Sequence, residues 1–97
     1  MRIIAKRTLR AFWVEHPDAE QPLKSWCYYV KKEEWRSLSD VKILFGNASI
    51  LKNNRVVFNI AGNKYRLIVN INYAYKAIYI RFIGTHEEYD RIDVEEV

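Results

Sequence analysis

The chain has 97 residues, 49% hydrophobic and 14% aromatic, which is too short for two cores and too apolar for a disordered segment. The net charge of +4 is unevenly spread: residues 2–81 hold 15 of the 16 Lys/Arg and 6 of the 12 Asp/Glu, while residues 82–97 hold one Arg and 6 acids. A basic body of this kind attracts polyanions, and no apolar run approaches the roughly 20 residues of a membrane span.

In chain order, Arg2-Ile3-Ile4-Ala5 suits a short strand. From Thr8 the period changes, with Leu9, Phe12, Trp13 and His16 on one helical face and Pro17 as the stop. Asp18, with Gln21 three residues on, predicts a capped second helix. That helix carries Leu23, Trp26, Cys27 and Val30 inward and Lys24, Lys31 and Lys32 outward, and is expected to end near Trp35. A short third helix starts at Ser39 or Asp40, holds Val41, Leu44 and Phe45, and breaks at Gly46-Asn47.

The second half reads as β. Arg55 to Ile60 alternates after the Asn53-Asn54 turn, and Ala61-Gly62-Asn63 makes a hairpin connection. Tyr65, Leu67, Val69, Ile71 and Tyr73 then alternate with Arg66, Asn70 and Asn72, Ile68 being the exception. Period 2 over nine residues means a strand with one buried face. Residues 77–83 form its partner, with Ile78, Ile80 and Phe82 assigned to the core, Tyr79 and Arg81 to the other face, and Gly84 as the end. Glu87 to Ile92 suits a final helical turn. The expected fold is α+β, a single domain over residues 1–97, with N-terminal helices packed on one face of a small, mainly antiparallel sheet.

Two histidines 70 residues apart and one cysteine offer no zinc spacing, and three glycines make no phosphate loop. Neither metal nor cofactor is expected. The lone Cys27 forms no internal disulfide, and with a start charged again by Lys6 the expected location is the cytoplasm. Trp13, Trp26 and Trp35 read as core. The open sheet face is more informative: Arg66 and Arg81 share it, and Lys64, Arg55 and Lys52 lie nearby. A guanidinium fork fits phosphate oxygens, and Tyr79 on the same face suits stacking on a base. His86, Tyr89 and Asp90 follow the last strand, and a histidine can act as acid or base near neutral pH.

These residues carry a resemblance. Asn54-Arg55-Val56-Val57-Phe58-Asn59-Ile60, Gly62-Asn63-Lys64-Tyr65-Arg66-Leu67, Tyr79-Ile80-Arg81 and Thr85-His86-Glu87-Glu88-Tyr89-Asp90 resemble the HigB family of toxins of type II toxin–antitoxin systems, within the RelE-like superfamily. Trp35-x-Ser37-x-x-Asp40-Val41-Lys42 is similar too. The resemblance implies the RelE-like fold and an mRNA endoribonuclease that cuts translated messages in the A site of the 70S ribosome. It implies a HigA-type helix-turn-helix antitoxin as partner, contact with DNA only through that antitoxin, and no membrane.

Metal-independent RNA cleavage uses the 2′-OH as nucleophile, so it needs a base, an acid and cations on the phosphate. Under this reading Arg66 holds the transition-state phosphate, His86 is general acid or general base, Tyr89 orients substrate or shares proton transfer, and Asp90 orients His86 or Tyr89. Lys64 and Arg81 hold adjacent phosphates, Tyr79 stacks, and Lys52 and Arg55 extend the track. Two other readings share the scaffold: a non-catalytic basic module that binds RNA or protein, and a ParE-like gyrase inhibitor lacking the acid–base cluster.

Overall fold

A computed structural model describes all residues from Met1 to Val97. The elements are β1 (Arg2–Ile4), α1 (Lys6–Glu15), a 3-10 turn at Pro17–Ala19, α2 (Glu20–Lys31), α3 (Leu38–Leu44), β2 (Ser49–Ile50), β3 (Arg55–Ile60), β4 (Tyr65–Asn72), β5 (Ala77–Thr85) and α4 (His86–Arg91). One five-stranded sheet has the order β1-β5-β4-β3-β2. Only β1 runs parallel to its neighbour, β5; the other three pairings are antiparallel. The α+β layout with a mainly antiparallel sheet is as the sequence predicts. No helix is long and apolar enough to cross a membrane.

The core lies between α1–α3 and one sheet face. Leu9, Leu23, Trp26, Val30 and Val41 from the helices meet Val56, Phe58, Leu67, Val69, Ile71 and Ile78 from the strands. Phe58 receives Trp26 edge-on at 5.4 Å and Phe45 at 5.0 Å between ring centroids. Each fully buried aliphatic side chain contributes roughly 1.5–3 kcal/mol. The helical and strand periods therefore point at the same interior.

Four expectations change. First, Asp18 does not cap α2: Ala19 is the N-cap residue and no side chain bonds the helix start. The Asp18 carboxylate instead accepts from Lys64 and from the Tyr65 hydroxyl. Second, α2 ends at Lys31, short of Trp35. The amino group of Met1 donates to the carbonyls of Val30 and Lys31 at the helix end and of Glu33 beyond it, and the chain leaves the helix so that Trp35 is buried in the core. Third, β5 runs through Gly84 to Thr85 rather than stopping at the glycine. Fourth, Phe82 is not on the core side. Ile68 pairs with Phe82 and Val69 with Ile80, so Arg81 is an extra residue in β5. This β-bulge shifts the phase of the strand: Ile83, not Phe82, packs against the helical core. The bulge also accounts for Ile68, which is fully buried on the face away from the helices, opposite Phe82.

Candidate active site

The β4–β5 pairing places the site. Tyr65 lies opposite Thr85, Arg66 opposite Gly84, and Leu67 opposite Ile83. Gly84 is required by crowding: a Cβ there would stand 2.5 Å from the Phe82 ring and 3.1 Å from the Glu88 carboxylate. Arg66 thus faces a strand position with no side chain of its own. Its Nη1 donates to the carbonyls of Asn63 at 2.9 Å and Tyr65 at 3.3 Å, which leaves Nε and Nη2 without a protein acceptor. The guanidinium carbon is 5.9 Å from the centre of the Tyr89 ring, within reach of a cation–π contact.

Thr85 ends the strand and starts α4 through a capping box. Its hydroxyl accepts from the Glu88 amide at 3.1 Å, and its own amide donates to the Glu88 carboxylate at 2.8 Å. The hydrogen bond to the Thr85 backbone is the main reason the Glu88 carboxyl sits below its ordinary range. The His86 amide also donates to the Lys64 carbonyl at 3.2 Å, tying the helix start to the β3–β4 hairpin. On α4 the spacing of His86 and Asp90 is one helical turn, and His86 Nδ1 lies 3.1 Å from Asp90 Oδ2. The carboxylate thus stands on the Nδ1 side of the imidazole, and Nε2 has no protein partner. Both side chains are about half exposed, so a polymer reaches them.

Asp18 is the member of this region that sequence reasoning assigned elsewhere. Its bonds to Lys64 and Tyr65 hold the carboxyl below its ordinary value of 3.8, Lys64 contributing most. The same carboxylate raises the Lys64 ammonium and the Tyr65 phenol. Tyr65 is also packed by His16, 5.4 Å away and edge-on, and His16 stacks on Phe12 at 4.3 Å. The carboxylate and its partners are 46 and 47 residues apart in sequence, so no local pattern announces them.

The structure groups Arg66 with Tyr89 and His86 with Asp90, all around the start of α4, with Lys64 bound to Asp18 on the adjoining hairpin. The other cations stand apart. Asn70 pairs with Arg55 on one side and Tyr79 on the other, so these three form a row across the open face. That row is four residues along β4 from Arg66, roughly 13 Å at strand rise. The Arg81 guanidinium carbon is 5.9 Å from the Tyr79 ring. Arg55 is committed: its Nε and Nη2 donate to the backbone oxygen of Val97 at 2.9 and 2.7 Å. Lys52 is exposed at the Asn53-Asn54 turn.

Arg66 and Tyr89, and His86 with Asp90, thus gather at one end of a small α+β fold, and the chain is similar to known proteins along most of its length. Residues 19–92 match the model of the HigB toxin family, described as the RelE-like toxic component of a toxin–antitoxin system. The chain belongs to that family. It is 27% identical over 94 residues to the mRNA interferase HigB of Escherichia coli O6:H1, covering 95% of this chain and 91% of that protein. It is 25% identical over 92 residues to the mRNA interferase toxin HigB of Escherichia coli K12, covering 93% and 88%. The mRNA interferase HigB of Shigella flexneri gives the same figures, 25% over 92 residues. As a family member the chain is the toxic half of a pair with an antitoxin.

Proposed function

We propose that this chain is an mRNA endoribonuclease, acting as the single domain of residues 1–97, that cuts messages on the ribosome in the cytoplasm and is neutralised by a HigA-type helix-turn-helix antitoxin. The observation that carries the reading is the placement of Arg66, with two unsatisfied donor nitrogens, beside Tyr89 on the helix that also holds the His86–Asp90 pair. The relatives bear the name mRNA interferase.

The chemistry follows from these groups. The ribose 2′-OH attacks the adjacent phosphorus as its proton passes to a base, and the P–O5′ bond breaks as an acid protonates the leaving oxygen. The products are a 2′,3′-cyclic phosphate and a 5′-hydroxyl. Charge builds on the non-bridging oxygens in the transition state, and Arg66, anchored by Asn63 and Tyr65, meets it with its free N–H groups. His86, held through Nδ1 by Asp90, presents Nε2 for one proton transfer; Tyr89 orients the substrate or serves the other. Lys64 and Arg81 hold flanking phosphates and Tyr79 stacks on a base. Lys52 extends the track, and Arg55 contributes to it only by exchanging Val97 for phosphate.

Expression of the wild type and of His86→Ala and Arg66→Ala, with primer-extension mapping of cellular mRNA, tests this. Wild type is expected to give cuts that vanish when translation is blocked, and each variant to lose about 10²-fold or more of the cleavage rate. Absence of any cut in the wild type refutes the nuclease reading. Full cleavage by both variants refutes the residue assignment. Gyrase inhibition without mRNA cleavage gives the ParE-like alternative.

A further inference from the structure

The outer side of the helical layer carries a second built feature. Lys6, Leu9, Arg10 and Trp13 stand on α1 at i, i+3, i+4 and i+7, and Lys24, Cys27, Tyr28 and Lys31 stand on α2 at the same spacing. Two antiparallel helices with these matched stripes enclose a groove of about 370 Å³. It continues past Lys6 and Lys31 into a hollow of about 620 Å³ beside β1. Its floor is Leu9, Trp13, Cys27 and Tyr28, and its rim is Lys6, Arg10, Lys24 and Lys31. No carboxylate lines the groove itself, while Glu33 and Glu34 stand in the adjoining hollow. Only Lys24 has an acidic partner, Glu20 at 2.5 Å, an exposed i,i+4 pair of little energetic weight. Val14, one turn beyond Arg10 on α1, is 72% exposed.

We propose that this groove seats an acidic amphipathic helix of the antitoxin. The inference rests on membership of a toxin–antitoxin family and not on the nuclease reading. Charge complementarity selects the occupant: between α1 and α2 a rim of Lys6, Arg10, Lys24 and Lys31 without acids, around an apolar floor of Leu9, Trp13, Cys27 and Tyr28, fits a helix with an apolar stripe flanked by Glu or Asp. Half of the groove lining is apolar, and Lys24 already lies over the Trp13 ring at 5.5 Å, which disfavours a stacked RNA base. A second copy of this chain offers its acidic residues 87–97 as occupant, yet Arg55 holds Val97 against the sheet of its own chain. The groove lies on the helical layer, whereas Arg66 is on the opposite sheet face, so an occupant leaves the RNA face open.

Binding of a fluorescein-labelled synthetic helix of about 14 residues, four turns, with leucines at i, i+3, i+4 and i+7 and glutamates beside them, tests the groove on the full chain by anisotropy. The peptide is expected to bind wild type, to lose about tenfold or more against Arg10→Glu/Lys31→Glu, and to lose affinity against Tyr28→Ser. Arg36→Glu, the same charge change on an exposed residue elsewhere, is expected to bind as wild type, and unchanged melting temperatures certify the folds. Equal binding of a scrambled peptide, equal binding by the double variant, or displacement by an unlabelled roughly 12-nucleotide single-stranded RNA overturns the proposal. So does sedimentation showing a dimer that the double variant dissolves. Mapped mRNA cleavage by the double variant separates loss of the groove from loss of the nuclease.

Discussion

At the scale of single residues, Arg66 and Asp18 make separable predictions. Arg66→Lys keeps a charge but gives up the planar fork whose one nitrogen binds Asn63 and Tyr65 while the others remain open. It is expected to recover little of the activity lost in Arg66→Ala, because an ammonium cannot do both at once; cleavage rates of the two variants decide. Asp18 governs pH dependence. Its folded-state value lies below 3.8, so its contribution is complete above the unfolded value and is lost as pH falls through the lowered one. Lys64 and Tyr65 lie above 10.5 and 10.0, so theirs are complete below those values and are lost as pH rises. Stability is therefore expected to drop on acidification below about pH 4 and on strong alkalinisation. Asp18→Asn should flatten the acid limb attributable to this contact, as urea titrations across pH would record.

At the scale of elements, β5 is the instructive case. Its apolar alternation made the strand legible, as did the strict period of β4, because both bury one face against helices. The bulge at Arg81 was not legible, since it is set by which β4 residue each β5 residue meets, and a lone sequence does not state its partner's register. β2 was missed for a simpler reason: two residues carry no period. Asp18 looks like a cap because cap chemistry is local and visible in sequence, whereas its partners Lys64 and Tyr65 arrive only when the hairpin folds against the helical connection. Arg66 meets Tyr89, and His86 meets Asp90, around the start of α4; His86, Tyr89 and Asp90 lie together because α4 is one short segment. Nothing local reveals the bond of Arg55 to Val97, so in the sequence Arg55 looks like a free cation. Gly84→Ala tests the crowding at the strand end. Its Cβ would collide with the Phe82 ring, so a loss of about 1–3 kcal/mol is expected. Combining it with Phe82→Leu should cost less than the sum, measurable as a thermal double-mutant cycle.

At the scale of the whole molecule, the charge division found in the sequence acquires a geometry. The basic body presents cations on two surfaces, the open sheet face around Arg66 and the helical groove around Arg10, while acids concentrate in α4 and the residues after it. Affinity for RNA is expected to fall linearly in log salt with a slope set by the phosphates contacted, roughly −0.7 per contact for a single strand. Arg81→Ala should reduce that slope, whereas Arg10→Ala should leave it unchanged, as filter binding over a salt series would show. The bulge has a consequence at this scale as well. Side chains along a strand alternate sides, so pairing Arg81 in regular register opposite Ile68 would turn every later residue of β5 over. Deleting Arg81 would instead join Ile80 opposite Val69 directly to Phe82 opposite Ile68, an uninterrupted ladder that leaves Ile83 and the start of α4 on their present sides. The extra residue is a slack link in the strand, and the deletion is expected to keep the fold while removing one cation.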